Sequence, residues 1–234
     1  ALNAGINNMA IVTGRGKRAI EDHFDNAFEL EFQLIGTPKE HYLEEIKKVI
    51  EQATFTYVRQ QQMLGLGHAI LTGEPLIGLE PFAVILADDL CDCKYDGVIS
   101  QMIEIYNKYK ISIVAIQEVP INEVHQYGIV SCKPIGNEND IYLVNSMIEK
   151  PDQENSPSNL AIIGRYILAP EIFNILRKIE AGNSNEIQIT DALNVLAKQG
   201  KVIAYKFEGN RFDCGSINGF INATNYFAKK QGVT

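Results

Sequence analysis

The chain has 234 residues, 46% of them hydrophobic, and carries 21 Lys and Arg against 29 Asp and Glu for a formal charge of −8. That length and apolar content suffice for one sizeable core and exclude a disordered tail, a collagen-like repeat or a disulfide-stapled miniprotein. The acidic balance excludes a surface drawn to nucleic acid or anionic membrane, so an anionic substrate must be held by local cations or a metal.

No apolar run approaches the roughly 20 residues that span a bilayer, and no basic-then-apolar signal pattern opens the sequence. The cysteines are Cys91, Cys93, Cys132 and Cys214. They include one C-x-C pair but no second pair or histidine cluster at zinc-finger spacing, which predicts reduced thiols and a cytoplasmic compartment.

Residues 1–5 read as the last turn of a helix closed by Gly5 at the C′ position. A strand follows at 9–13, then a long helix over 17–34 and another over 39–53, where Tyr42, Leu43, Ile46, Val49 and Ile50 share a face. A short strand at 55–59 leads to a helix over 66–73 and a buried strand at 82–86. A helix at 97–110 and a strand at 112–117 come next. Residues 127–166 read as strands broken by polar turns; helices at 170–179 and 190–198, a strand at 202–207 and a closing helix from about 218 complete the chain. Strands alternating with helices predict a single α/β domain over 1–234: a mostly parallel sheet with helices on both faces and an antiparallel elaboration in its second half.

The stretch from Phe82 to Asp89 is the most informative. A buried strand ends in two carboxylates, which puts Asp88 at the carboxyl edge of the sheet, where open α/β folds bind ligands. A hard oxygen ligand for Mg²⁺ and a solvated turn both fit that pattern. Asp213, after another apolar strand and before Cys214-Gly215, fits a metal ligand or an ordinary Asx turn or cap. Glu149 and Lys150 precede Pro151 at a strand end; neighbours on a strand face opposite ways, so they can share a site only if the strand bends there. After Arg59-Gln60, the glycines of Gly65-Leu66-Gly67-His68-Ala69 allow backbone N–H groups to approach a ligand, or form a plain turn. His68 itself reads as a packing or capping residue. Residues 14–19 match the dinucleotide fingerprint G-x-G-x-x-A, but the region from Gly36 to Glu45 is a turn and helix where a second strand should end in the ribose-binding acid.

Taken in order, these pieces resemble one family: Val12-Thr13-Gly14-Arg15-Gly16-Lys17-Arg18, Tyr57-Val58-Arg59-Gln60, Gly65-Leu66-Gly67-His68-Ala69, Leu86-Ala87-Asp88-Asp89, Gln126-Tyr127-Gly128-Ile129-Val130 and Glu149-Lys150-Pro151. The run from Ser158 to Tyr166, that from Asn185 to Ala192, and Asp213-Cys214-Gly215 continue the series. The sequence is similar to the bacterial UTP–glucose-1-phosphate uridylyltransferases from about Ala4 to Phe227.

The resemblance implies a Rossmann-like nucleotidyltransferase fold and Mg²⁺-dependent transfer of UMP from UTP to glucose 1-phosphate, giving UDP-glucose and pyrophosphate. It implies that Gln60 and Gly65 read the uracil edge and that Asp88 and Asp213 hold Mg²⁺ against the phosphates. Gly128 and Glu149 would contact glucose hydroxyls, and Lys150 the sugar phosphate; Asp88, Lys150 and Asp213 are thus the catalytic set. Asp89 carries no role over. Members of that family open with a strand, a Gly-Thr-Arg loop with a downstream Pro-Lys, and a helix ahead of the counterpart of Ala1, so the resemblance also implies that this sequence lacks that segment. It further implies a homodimer or homotetramer. Two alternatives remain open: a related pyrophosphorylase using dTTP or another sugar phosphate, and a non-catalytic sugar-nucleotide-binding protein.

Overall fold

The computed structural model describes residues 1–93, 97–138, 140–182 and 185–233, with the side chain of Glu45 outside it. The chain gathers into two compact units, Ala1–Gly78 with Glu180–Ile187, and Leu79–Ile179 with Gln188–Thr234.

The first unit opens with a 3₁₀ turn, Leu2–Ala4, which Gly5 closes at φ 77° with its N–H on the Leu2 carbonyl, as the glycine signal predicts. Strands β1 (Asn8–Thr13) and β2 (Thr54–Arg59) pair in parallel, Asn8 beside Thr54 and Thr13 beside Arg59. A parallel pair needs a long crossover, and here it contains three helices: α1 (Arg18–His23), α2 (Phe28–Leu34) and α3 (His41–Gln52).

The long helix expected over 17–34 is therefore two short ones. Phe24 leaves the helical path and stacks on Phe55 of β2, ring centroids 4.3 Å apart, while Asp25 and Asn26 supply turn chemistry. Helix α4 (Gly65–Ile77) runs through Pro75, a turn beyond its expected end, and stops at Gly78, where φ is 70°. Gly73 of α4 faces β1: a Cβ there would make ordinary contact with the Val12 side chain, at 3.8 Å.

The second unit is built on a six-stranded sheet. Its strands, in spatial order, are β3 (Phe82–Ile85), β8 (Leu160–Leu168), β5 (Ser112–Glu118), β9 (Val202–Lys206), β7 (Ile141–Glu149) and β6 (Gly128–Pro134). Ile113, Val114, Ala115 and Ile116 of β5 are wholly buried, the continuous apolar run of a strand covered on both faces. Helices α5 (Val98–Tyr109), α6 (Ile172–Leu176) and α7 (Ile189–Ala197) add Met102, Phe173 and Leu193 to this core.

The α/β class is as expected, but the antiparallel part is larger than the alternating pattern suggests. Only β1–β2 and β5–β9 run parallel among the described ladders, and β3, β6, β7 and β8 pair antiparallel with their neighbours. A short connection such as that between β6 and β7 leaves no room for a crossover, so it forces a hairpin. A separate ribbon pairs β4 (Asp89–Asp92) with β10 (Asn210–Asp213), and α8 (Ile217–Lys230) follows it, capped by the Ser216 hydroxyl. No helix among the described residues is long and apolar enough to cross a membrane.

Candidate active site

The chain leaves β3, turns through residues 86–88 and enters β4 at Asp89. The two carboxylates part company, Asp88 in the turn and Asp89 as the first residue of β4. Asp88 is exposed, whereas Asp89 is buried.

Asp89 accepts from Arg211 Nε and from the Gly164 N–H, both at 2.6 Å. Gly164 has to be glycine for this approach: a Cβ would lie 2.7 Å from the Leu86 Cβ and 3.0 Å from the Asp89 side chain. Arg165 holds the same turn from outside, donating to the carbonyls of Leu86 at 3.1 Å, Gly164 at 2.8 Å and Asp89 at 2.6 Å.

Antiparallel pairing of β10 with β4 sets Asp213 opposite Asp89, and the Cys214 N–H bonds to the Asp88 carbonyl at 2.7 Å. This brings Asp88 and Asp213 together. A Cβ placed on Gly215 would stand 3.1 Å from Asp213 Oδ1 and 3.5 Å from Asp88 Oδ2, so both carboxylates border the space that this glycine leaves. The Gly215 N–H donates to Asp213 Oδ1 at 3.1 Å. Asp213 Oδ2 accepts from the Tyr127 hydroxyl and from Arg211 Nη2, each at 3.1 Å.

No three His, Cys, Asp or Glu side chains among the described residues converge on a metal-sized site. Two carboxylates without further protein ligands suit a hard cation that keeps waters and takes phosphate oxygens for the rest of its shell, as Mg²⁺ does.

Arg211 is the hub of this cluster and lies 5.0 Å from the centre of the Tyr127 ring. Burial pulls its pKa down, but the hydrogen bond and charge of Asp89, followed by Tyr127, outweigh it and hold the guanidinium firmly protonated. Burial pushes the Tyr127 hydroxyl up; Arg211 pulls it back and Asp213 adds to the rise. Tyr166 is raised by burial first, then by the charges of Glu149 and Asp89, with Arg211 opposing.

Tyr127 also reaches the sugar-side candidates, because its carbonyl accepts the Lys150 N–H at 2.9 Å. The bend that Glu149 and Lys150 require is present: β7 ends at Glu149, and Lys150 adopts φ 46°, left-handed and strained for a side chain ahead of proline. Gly128 pairs with Glu149 across the β6–β7 ladder. A Cβ on Gly128 would lie 3.1 Å from both Glu149 Oε2 and Thr190 Oγ1, and the Thr190 hydroxyl donates to that Glu149 oxygen at 2.5 Å.

Gln60 and Gly65 come together in the first unit. The Gln60 N–H continues the strand by bonding the Thr13 carbonyl at 2.8 Å, and its side-chain nitrogen lies 3.2 Å from the Gly65 carbonyl and 2.9 Å from His68 Nδ1. Gly65 sits at φ 87°, and a Cβ would meet Glu186 at 2.9 Å and the Ile187 carbonyl at 3.0 Å, so only glycine fits. The segment around Ile187 is strapped to this loop by Gly67 N–H to Ile187 O and Ile187 N–H to Leu64 O, both 2.8 Å. A surface cavity of about 280 Å³ in the same unit, lined by Asn26, Phe28, Glu31, Lys47, Ile50 and Glu51, contains none of the candidate residues.

Sequence reasoning missed Arg211, Arg165, Tyr127 and Thr190 as supports, and gave Asp89 no role. One signal was available: Arg211 and Asp213 are two apart on a strand and so share a face.

A nucleotidyl transferase family model matches residues 1–230. A UTP–glucose-1-phosphate uridylyltransferase of Pseudomonas aeruginosa is 57% identical over 227 residues, 97% of this chain and 81% of that protein. Among solved structures, an apo UDP-glucose pyrophosphorylase superposes with a TM-score of 0.94 at 55% identity, over 98% of this chain and 84% of that one. A UDP-glucose pyrophosphorylase complexed with UDP-glucose gives 0.89 at 53% identity, over 98% and 83%.

Proposed function

Because the chain belongs to the nucleotidyl transferase family, we propose that it transfers a uridylyl group from UTP to glucose 1-phosphate, releasing pyrophosphate and forming UDP-glucose. The observation that carries this reading is the meeting of the Asp88 and Asp213 carboxylates beside Gly215, in a chain 57% identical to an enzyme named for that reaction. The unbroken family match over 1–230 supports treating the chain as one functional domain.

A phosphate oxygen of glucose 1-phosphate attacks the α-phosphorus of UTP, and the bond from that phosphorus to the bridging oxygen of the β-phosphate breaks. The second pKa of a phosphate monoester is about 6, so the nucleophile is already ionised at neutral pH and needs no side-chain base. The difficulty is to bring two polyanions into line, which is a matter of positioning and charge.

Asp88 and Asp213 would hold a divalent cation, and Mg²⁺ fits a two-carboxylate set that takes its other ligands from phosphate and water. When bound there, the cation would supply charge neutralisation at the phosphates. Lys150, carried outward by the bend at the end of β7, meets the sugar phosphate. Glu149 accepts from glucose hydroxyls, and Gly128 opposite it, lacking a Cβ, lets the Glu149 carboxylate and the Thr190 hydroxyl that orients it close in beside the sugar. Gln60 and the backbone of Gly65 meet the uracil edge. Neutralisation by fixed groups is worth more here than in water because the supports are already in place.

Assembly into a dimer or tetramer belongs to the same reading, supported by the exposed Ile217, Phe220 and Ile221 on α8. Incubation with UTP, glucose 1-phosphate and Mg²⁺ should release pyrophosphate, with dTTP run alongside to grade base choice. A chain that releases none with UTP is not this enzyme.

A further inference from the structure

We propose that His68 is a specificity-determining residue: it locks the Gln60 amide with its oxygen outward, so that the site accepts an imide base such as uracil and refuses cytosine. The inference rests on the reading that Gln60 meets the base.

A carbonyl oxygen can only accept, so the atom of the Gln60 amide lying 3.2 Å from the Gly65 carbonyl must be the nitrogen. The same nitrogen lies 2.9 Å from His68 Nδ1. An amide nitrogen is only a donor, so Nδ1 must be the bare, accepting nitrogen, and the ring proton sits on Nε2. Both amide protons are then consumed inside the loop. What remains for a ligand is Oε1, a pure acceptor. Uracil offers N3–H at its pairing edge, whereas cytosine offers a lone pair at N3, which would face Oε1 with nothing between them.

The lock needs both partners. With the Gly65 carbonyl alone, the second amide proton has no partner, and the whole amide can pivot about its Cγ–Cδ bond to carry that proton toward cytosine N3. The Gly65 carbonyl is itself held, because that glycine lies within contact of Glu186 and Ile187, and Ile187 is bonded to the backbone on both sides of it. His68 is therefore a positioning residue acting through Gln60. Thymine presents the same edge as uracil, so this device does not separate the two.

The test compares binding of UDP-glucose and CDP-glucose to the full chain by calorimetry. The unaltered chain should prefer UDP-glucose. His68→Phe, which fills the space without an acceptor, should narrow the preference by about tenfold or more, the worth of one oriented hydrogen bond. His68→Asn, whose Oδ1 occupies the place of Nδ1, should restore it to within about threefold. On the unaltered, ¹⁵N-labelled chain, the His68 ring should show a bare Nδ1 and a protonated Nε2, its signals identified by their loss in His68→Asn.

An unchanged ratio in His68→Phe, or a protonated Nδ1, overturns the inference while leaving the uridylyl reading intact. A chain that shows no preference for UDP-glucose before any substitution sinks the base-reading role of Gln60, and the lock with it.

Discussion

Asp89 and Arg211 meet at 2.6 Å with side chains only 6% and 8% exposed, beneath the turn that carries Asp88. Neither was singled out by pattern, yet the pair ties β4 to β10 and, through Arg211 Nη2, steadies Asp213. Breaking a buried pair from one side leaves an uncompensated charge. Asp89→Ala should therefore lower unfolding stability by about 3–5 kcal/mol, measured by denaturant titration. Asp89→Asn combined with Arg211→Gln should cost less than the sum of the single changes; strict additivity would show that the two do not act as a unit.

Asp88→Asn and Asp213→Asn test the proposed cation site directly. Each should lower kcat by about 10²–10³ or more, the scale of losing one fixed group that meets developing charge, with little change in melting temperature. Asp213→Asn keeps an oxygen for Tyr127 and Arg211 to bond, which separates loss of charge from loss of structure. Full turnover in either variant removes that residue from the site.

Gly128→Ala would push a methyl into the 3.1 Å spaces before Glu149 and Thr190. The expected result is a rise of about tenfold in KM for glucose 1-phosphate with UTP little affected. Thr190→Val, which removes the hydroxyl that orients Glu149, should move the same constant in the same direction, and Thr190→Ser should recover it. Equal rises for both substrates would point to general loosening instead.

Asp92 anchors the last turn of α8, accepting from Lys230 at 2.6 Å and from the Tyr226 hydroxyl at 2.7 Å. The Lys230 hydrogen bond, followed by that from Tyr226, holds the Asp92 pKa below its usual value. A depressed folded-state pKa adds stability that is present above the unfolded value, about 3.9, and is lost as pH falls through the folded value. Thermal melts of the unaltered chain and Lys230→Ala should differ at pH 6, begin to approach each other as the pH falls past about 3.9, and converge only below the depressed folded-state value of Asp92. A difference that persists in acid would mean that Lys230 contributes by packing rather than by charge.

Much of the local order is legible in the residues. The β5 run declares itself buried, Gly5 declares a left-handed cap, and the passage from β3 into Asp88 declares a carboxylate at a strand end. What escapes the eye depends on partners far away in the chain. The break between α1 and α2 follows from Phe24 finding Phe55, and no window on the helix contains that contact. Asp89 and Arg211 are 122 positions apart, so their neutrality as a pair is invisible to composition or periodicity. The bend at Lys150 could be stated as a requirement, but its left-handed backbone belongs to the fold.

The bond from Cys214 to the Asp88 carbonyl makes the meeting of Asp88 and Asp213 a matter of ladder alignment, not only of which side chains are present. A slip of one position along β4 would turn Asp213 to the opposite side of the ribbon. Inserting a single residue within β10, between Arg211 and Asp213, should thus silence turnover with every proposed catalytic side chain still in the sequence.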